Sequence, residues 1–568
     1  MAKAGLWKQG VADVIIDTGD TGPDKIKERG EHVKYAFPSR RAVVMSRGGM
    51  VASSQHLATQ AGVNMLQQGG NAVDAAIATA AALNVVEPMM TGLGGDLFAL
   101  VYLRKSGELK ALNASGRAPY AASLEKIRSL GLQKMPETGI HTVTVPGTLD
   151  GWCTLLDSCG TMKLEPVLSP AIALAEEGYP VTEAIAHSWQ ENQPKLEKDE
   201  AAARNYLPRG RAPEPGEIFV QSDLANTLKK IAREGRDIFY RGKIGREIVA
   251  CSQQHGGLLA MKDLNDHTSS WVTPISTGYR GYEVFECPPN GQGLVTLLAL
   301  NMVESYDLKS MGHNSPEYLH LLLEALKLAF ADADKYVADP DFADIPLEPL
   351  LSKKYAASRR NLIDKNRAGQ KVTAGVPDRG GDTVYLAVTD RDGNSISLIN
   401  SLYNAFGSGI VVEGTGICLQ NRGALFSLEE GHLNCIAPHK RPYHTIIPGM
   451  VLRDGQLFLA FGVMGGFMQP QGQLQVLLNV IDFGMDVQTA LDAPRFRYIQ
   501  AGNECAFEPG IPDSTLRALA AKGHRVVRLD DPYSQQFGGG QIIMVSPENG
   551  ALIAGSDPRK DGCAMGTW

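Results

Sequence analysis

In the run GGDTVYLAVTDRDGNSISLINSLYNAFGSGIV (380–411), two apolar, β-branched stretches face each other across a tight turn. TVYLAVTD (383–390) and SISLINSLY (395–403) have strand composition, and Arg391-Asp392-Gly393-Asn394 between them supplies two residues that tolerate positive φ, Gly393 and Asn394. A turn this short sets the register and brings Thr383, at the start of one strand, towards Ser401, near the end of its partner. GMVLRDGQLFLAFG (449–462) repeats the device around Asp454-Gly455, and HRVVRLD (524–530) and GGQIIMVSPENGALIAGSD (539–557) add strands.

Upstream, AVVMS (42–46) reads as a strand, and GMVASS (49–54) leads into a helix with Leu57, Ala61, Met65 and Leu66 at helical spacing. Gly69-Gly70 ends that helix, and Asn71 caps the next, which runs to about Val86 and is stopped by Pro88. LFALVYL (97–103) is a strand. The middle third, roughly 160–370, reads as mainly helical, with amphipathic helices at 166–179 and 315–337, the latter capped by Ser315 with Pro316 in its first turn. Strands in both halves with helices between them predict an α+β layered sandwich.

Composition narrows the function. The 568 residues exceed what one simple core holds, and 43% hydrophobic with 21% charged residues is globular. A net charge of −7 argues against nucleic acid as a partner. The first residues lack a secretory apolar core, and the most apolar stretch, 72–86, is too short to span a bilayer and contains Asp74, so no membrane is expected. Eight cysteines without a CxxC pair indicate neither zinc nor a redox motif and suggest a reducing, cytoplasmic setting. GQG (291–293) lacks the third glycine of a dinucleotide site, no glycine loop is followed by GK[ST], and HTSSW and PHKRPYH lack metal-ligand spacing. Cys418, on a strand, reads as a core thiol. No cofactor or metal is expected.

The hairpin at 380–411 resembles the start of the small subunit in the γ-glutamyltransferase family of N-terminal-nucleophile hydrolases. KRPYHTIIPGMV (440–451) and GVMGGFMQPQGQLQVLLNVIDFGMD (462–486) are similar to the same subunit. The stretches at 49–88, 92–102, 142–152, 169–181 and 288–304 resemble the large subunit, so the resemblance runs from about residue 41 to the C-terminus. It implies a four-layer αββα sandwich built from two fragments of one precursor, 41–382 and 383–568, with 1–40 as an extension. It also implies self-cleavage between Asp382 and Thr383, fragments that stay associated, and room for further homo-oligomerisation. Thr383 would be the nucleophile, Ser401 the second hydroxyl beside it, and Gly465 and Gly466 the oxyanion hole. The chemistry is self-sufficient. A threonine hydroxyl needs a base, and cleavage gives Thr383 an α-amine of pKa about 7.7–8.0, which modest desolvation would poise for that task.

The chain departs from the glutathione-cleaving members where they hold a substrate ammonium. Their Asn, Gln and Asp fall here on Tyr403, Arg422 and Leu425, and their paired serines on His444 and Thr445. Arg117 resembles the large-subunit arginine that grips the substrate carboxylate. SLYNAFGSG, LQNRG, KRPYHT and GGFMQPQG are similar to the cephalosporin-acylase-like and oxamate-amidohydrolase-like branch. Arg117 and Arg422 suit a small amide substrate whose acyl group bears a carboxylate, because guanidinium matches carboxylate in fork geometry. Arg422 reads equally as a structural ion pair, with Glu413 as partner. The short stretch between Phe426 and Lys440 predicts an open site. Two alternatives stand beside this reading. One is a γ-glutamyl transferase or glutathione hydrolase with a rearranged pocket, in which Glu413 or Asp96 takes the ammonium. The other is an uncut, non-catalytic binding homologue, against which intact Thr383, Ser401, Gly465 and Gly466 argue.

Overall fold

The computed structural model describes residues 41–370, 382–530 and 534–568. The expected extension, 1–40, lies outside them. Fourteen strands form two seven-stranded antiparallel sheets. In chain order they are β1 (Val44–Ser46), β2 (Gly49–Ser53), β3 (Asp96–Leu103), β4 (Glu108–Ala114), β5 (Ser270–Val272), β6 (Ile275–Tyr279) and β7 (Tyr282–Glu286). There follow β8 (Asp382–Thr389), β9 (Ser395–Tyr403), β10 (Gly449–Arg453), β11 (Gln456–Met464), β12 (Gly539–Val545), β13 (Leu552–Ser556) and β14 (Cys563–Thr567). One sheet has the order β1-β13-β12-β11-β10-β7-β6 and the other β14-β2-β8-β9-β3-β4-β5. Strands β8 and β9 pack across onto β11, with Tyr385 lying over Gly462, where an added Cβ would sit 2.5 Å from the ring. Only glycine permits that approach.

Helices cover both outer faces, giving the αββα layers. On one side α1 (His56–Gln67) and α2 (Ala72–Val86) pack against β2, β8 and β9. All fifteen residues of α2 are buried, because its alanines let a second helix and a sheet close on it together. Asn71 and Asp74 form its capping box, as the Asn71 position predicts. On the other side lie α3 (Gly293–Val303), α4 (Pro316–Tyr336, capped by Ser315) and α5 (Met468–Ile481). Among the described residues no helix is long and apolar enough to cross a membrane.

Two local expectations need correction. The turn at 391–394 uses positive φ only at Gly393 (+81°), while Asn394 instead donates its side-chain amide to Asp390 at 3.0 Å. The mainly helical middle third also contains β5, an edge strand paired with β4, and the hairpin of β6 and β7, in which β6 is the sheet edge and β7 joins the sheet through the distant β10. Both sheets draw strands from either side of the Asp382–Thr383 bond, so neither stretch completes a sheet alone.

Candidate active site

The hairpin sits in the middle of its sheet, and a register shift between Asp382 and Val384 sets Asp382 opposite Tyr403, with Thr383 at the irregularity. Thr383 is fully buried, its Oγ1 3.2 Å from Ser401 Oγ. Gln469 Nε2, from the first turn of α5, donates to Thr383 Oγ1 at 3.4 Å. The hairpin thus brings the Thr383 and Ser401 hydroxyls together.

Ser401 Oγ accepts from Tyr403 N at 2.8 Å and from Arg422 Nη2 at 3.0 Å. Arg422 opens a short 3-10 turn (Arg422–Leu425), donates Nη1 to Thr445 Oγ1 at 2.7 Å, and lies over the Tyr403 ring at 4.7 Å. Arg422, Tyr403 and Thr445 thus join the Thr383 group. The guanidinium is fully buried, and among the described residues it has no carboxylate partner and its Nε has no acceptor. Burial pushes its pKa down to about 10, a shift that Asp96 partly resists. Glu413 pairs instead with Arg204, so the expected Arg422–Glu413 pair does not form.

His444 is held rather than presented. Its Nε2 faces Asp96 Oδ2 at 3.0 Å, its Nδ1 accepts from Ile446 N at 3.4 Å, and its ring packs on Phe98. Burial, with the charge of Arg422, pushes its pKa down to about 4, so it is neutral near pH 7. Asp96 stands opposite Ser401 in the β3–β9 register and also accepts from Gly116 N and Gln420 Nε2, each at 2.9 Å. Burial opposes its charge, but the bond and charge of His444, then Arg422 and Gln420, hold it below the usual carboxylate range.

Gly465 and Gly466 form the link from β11 to α5 at φ +123° and +57°. Their carbonyls accept from Met468 N and Gln469 N, while among the described residues neither N–H has an acceptor. Two unpaired donors at a helix N-terminus make a site for developing negative charge. Gln469, on the same turn, ties this segment to Thr383.

Arg117 is not in the cluster. It donates to Asp339 at 3.1 Å and to Asp341 at 2.6 Å, a pairing that neutralises the charge expected to grip substrate. The open site is also not observed. Thr383, Ser401, Arg422, His444 and Thr445 are all fully buried, while the short loop after Phe426 packs Phe426, Leu428 and Ile436 into a separate small cluster with Ala118, Ile127 and Met135. Sequence reading missed Gln469, Gln420 and the anchoring role of Asp96. The signal for the first was QPQGQLQ, whose four glutamines are buried on a core helix. Among the described residues, the one His, Cys and acid group spaced for a metal is His320, Glu324 and His524, outside this cluster.

A family model described as gamma-glutamyltranspeptidase matches residues 58–567. The glutathione hydrolase-like YwrD proenzyme of Bacillus subtilis (strain 168) is 41% identical over 91% of this chain and 98% of its own. The acylase ACY 1 proenzyme of Pseudomonas sp. (strain SE83) is 37% identical over 90% of this chain and 92% of its own. The crystal structure of cephalosporin acylase from Bacillus halodurans superposes with a TM-score of 0.88 at 44% identity, covering 95% of this chain and 99% of that one.

Proposed function

The chain belongs to the gamma-glutamyltranspeptidase family, and from that premise we propose a proenzyme that cuts itself before Thr383 and then hydrolyses amides of small carboxylate-bearing acyl groups. Arg422 carries the choice of substrate. A buried cation whose partners are hydroxyls and a ring lacks a counter-charge in contact, and leaving it so costs several kcal/mol. A substrate carboxylate would supply the missing charge, while Tyr403 and Leu425 offer no acid to a substrate ammonium. The acylases among its relatives support the same class.

In self-cleavage, Thr383 Oγ1 attacks the Asp382 carbonyl carbon, and the Gly465 and Gly466 N–H groups take the oxyanion. The C–N bond breaks, its nitrogen gains a proton and becomes the α-amine, and water hydrolyses the resulting ester. In turnover the neutral α-amine accepts the hydroxyl proton as Oγ1 attacks the substrate amide. The leaving amine takes that proton, and water frees the acid from the acyl-enzyme. Each oxyanion donor contributes about 2.7–4 kcal/mol. Ser401 orients the hydroxyl. The interleaved sheets support fragments that stay together after cleavage, and the scattered cysteines without a CxxC pair motivate placing the protein in a reducing, cytoplasmic compartment.

The γ-glutamyl alternative draws on Asp96, a buried carboxylate opposite Ser401, but His444, Gln420 and Gly116 already occupy it. Intact mass followed by an amide panel tests the proposal. Fragments of 382 and 186 (568 − 382) residues are expected, with Thr383→Ala uncut and inactive. A single full-length species that turns over amides would defeat both the cleavage and the mechanism.

A further inference from the structure

The sequence HLLLE (320–324) puts His320 and Glu324 four residues apart on one face of α4. His524 reaches them from the segment between the helix Asp513–Ala521 and the strand Arg525–Arg528. His320 Nδ1 and His524 Nε2 are 2.8 Å apart, and one donor atom from each of His320, Glu324 and His524 lies within 4.8 Å of the other two. All three residues are buried. From this geometry we propose that the protein binds one divalent transition-metal ion, zinc by ligand chemistry, through His320 Nδ1, His524 Nε2 and Glu324.

The hydrogen-bond pattern supplies an independent argument. His320 Nε2 lies 2.8 Å from the Asp364 carbonyl oxygen, which only accepts, so Nε2 carries the proton and Nδ1 points its lone pair into the cluster. A backbone carbonyl on the far nitrogen is the usual support of a metal-bound imidazole. Without metal, His524 Nε2–H is the donor between the rings. On binding, that proton passes to His524 Nδ1, which faces Cys505 Sγ at 3.7 Å, so neither ring changes charge.

Two imidazoles and a carboxylate form a zinc set with room for a fourth ligand. Tetrahedral coordination at about 2.0–2.1 Å needs the nitrogens roughly 3.3 Å apart, about half an ångström beyond their present 2.8 Å. A surface groove lined by Glu324, Asp364, Arg367 and Gly369 reaches the carboxylate ligand, whose Oε2 accepts from Gly369 N at 2.9 Å. Lys327 opposes the metal, since its ammonium bonds Glu324 Oε1 at 2.8 Å, but Gly369 O at 3.3 Å gives it another acceptor. The site touches no member of the Thr383 cluster. It ties α4 to a segment beyond the hairpin, so its role is structural and does not depend on whether the chain is cut.

The test uses the full chain, stripped with EDTA, dialysed and titrated with Co²⁺ or Zn²⁺. One equivalent should bind, Co²⁺ should show tetrahedral d–d bands without a thiolate charge-transfer band, and Zn²⁺ should raise Tm by a few degrees. Amide turnover should stay within about twofold, since the metal plays no part in the chemistry. His524→Gln and Glu324→Gln should each weaken binding by at least roughly 10–100-fold, the loss typical of even an outer partner. Lys327→Met keeps every ligand and removes the competing charge, so it should bind about tenfold tighter. Absence of stoichiometric binding to the wild-type chain at micromolar metal, a thiolate band, or undiminished binding in a His320→Gln/His524→Gln chain would overturn the site.

Discussion

Replacing Arg422 by glutamine, the residue type that glutathione-cleaving relatives carry there, should change which acyl group the enzyme prefers. A substrate ammonium placed roughly 6 Å from the buried guanidinium, at an effective dielectric of about 20, is repelled by about 3 kcal/mol, or roughly a hundredfold. Asp96 offsets part of this, as it does for the pKa of Arg422 itself. The wild type should therefore favour a glutaryl over a γ-glutamyl anilide by at least about tenfold in kcat/KM. In Arg422→Gln the carboxylate-bearing substrate loses a charge-assisted hydrogen bond of about 1.5–3 kcal/mol, so its kcat/KM should fall roughly 10–150-fold. The preference over the γ-glutamyl anilide should shrink to a few-fold at most. Because Arg422 also donates to Ser401, only protein shown by mass to be cut should enter the assay. Equal turnover of both anilides by the wild type, or an unchanged ratio in cut Arg422→Gln, would refute the reasoning.

Chelation and dialysis should leave amide turnover within about twofold, because nucleophile, base and oxyanion donors all belong to the chain; reversible loss restored by metal would contradict the N-terminal threonine mechanism. Gly465→Ala forces a side chain onto φ +123° with its Cβ 3.1 Å from Gly538 Cα, and should slow cleavage and turnover by about 10²–10³-fold, read by mass and kinetics. Acid should destabilise the protein. His267 and His444 are pushed down to about 4, each with burial as the first cause, so the unfolded chain binds protons there before the folded one does. Stability is then full above about pH 6.5 and falls as pH drops towards 4, by about 3 kcal/mol for a fully buried histidine such as His444. A Tm that stays flat between pH 7 and 4.5 would show these rings charged or exposed.

What the sequence disclosed was the chemistry that is local in the chain. Gly393 in the hairpin turn, Asn71 and Asp74 at one helix start, and Ser315-Pro316 at another act within a few residues, and each element formed where those residues put it. The Thr383–Ser401 contact belongs with them, since a hairpin register converts eighteen residues of separation into one hydrogen bond. The contacts that characterise the site are of another kind. Asp96 and His444 are 348 residues apart, His320 and His524 are 204 apart, and β5 and β7 take their places in the sheets from the distant β4 and β10. No periodicity in one segment encodes such neighbours. Arg422 shows the boundary most sharply, because an arginine reads identically whether it will meet Glu413 or a ligand. Counting lost acceptors at Tyr403 and Leu425 narrows the question to anion or ion pair. The answer lies in the atoms around the guanidinium, two hydroxyls and a ring with Asp96 beyond contact, which exist only once β9, the 3-10 turn and the segment before β10 have packed.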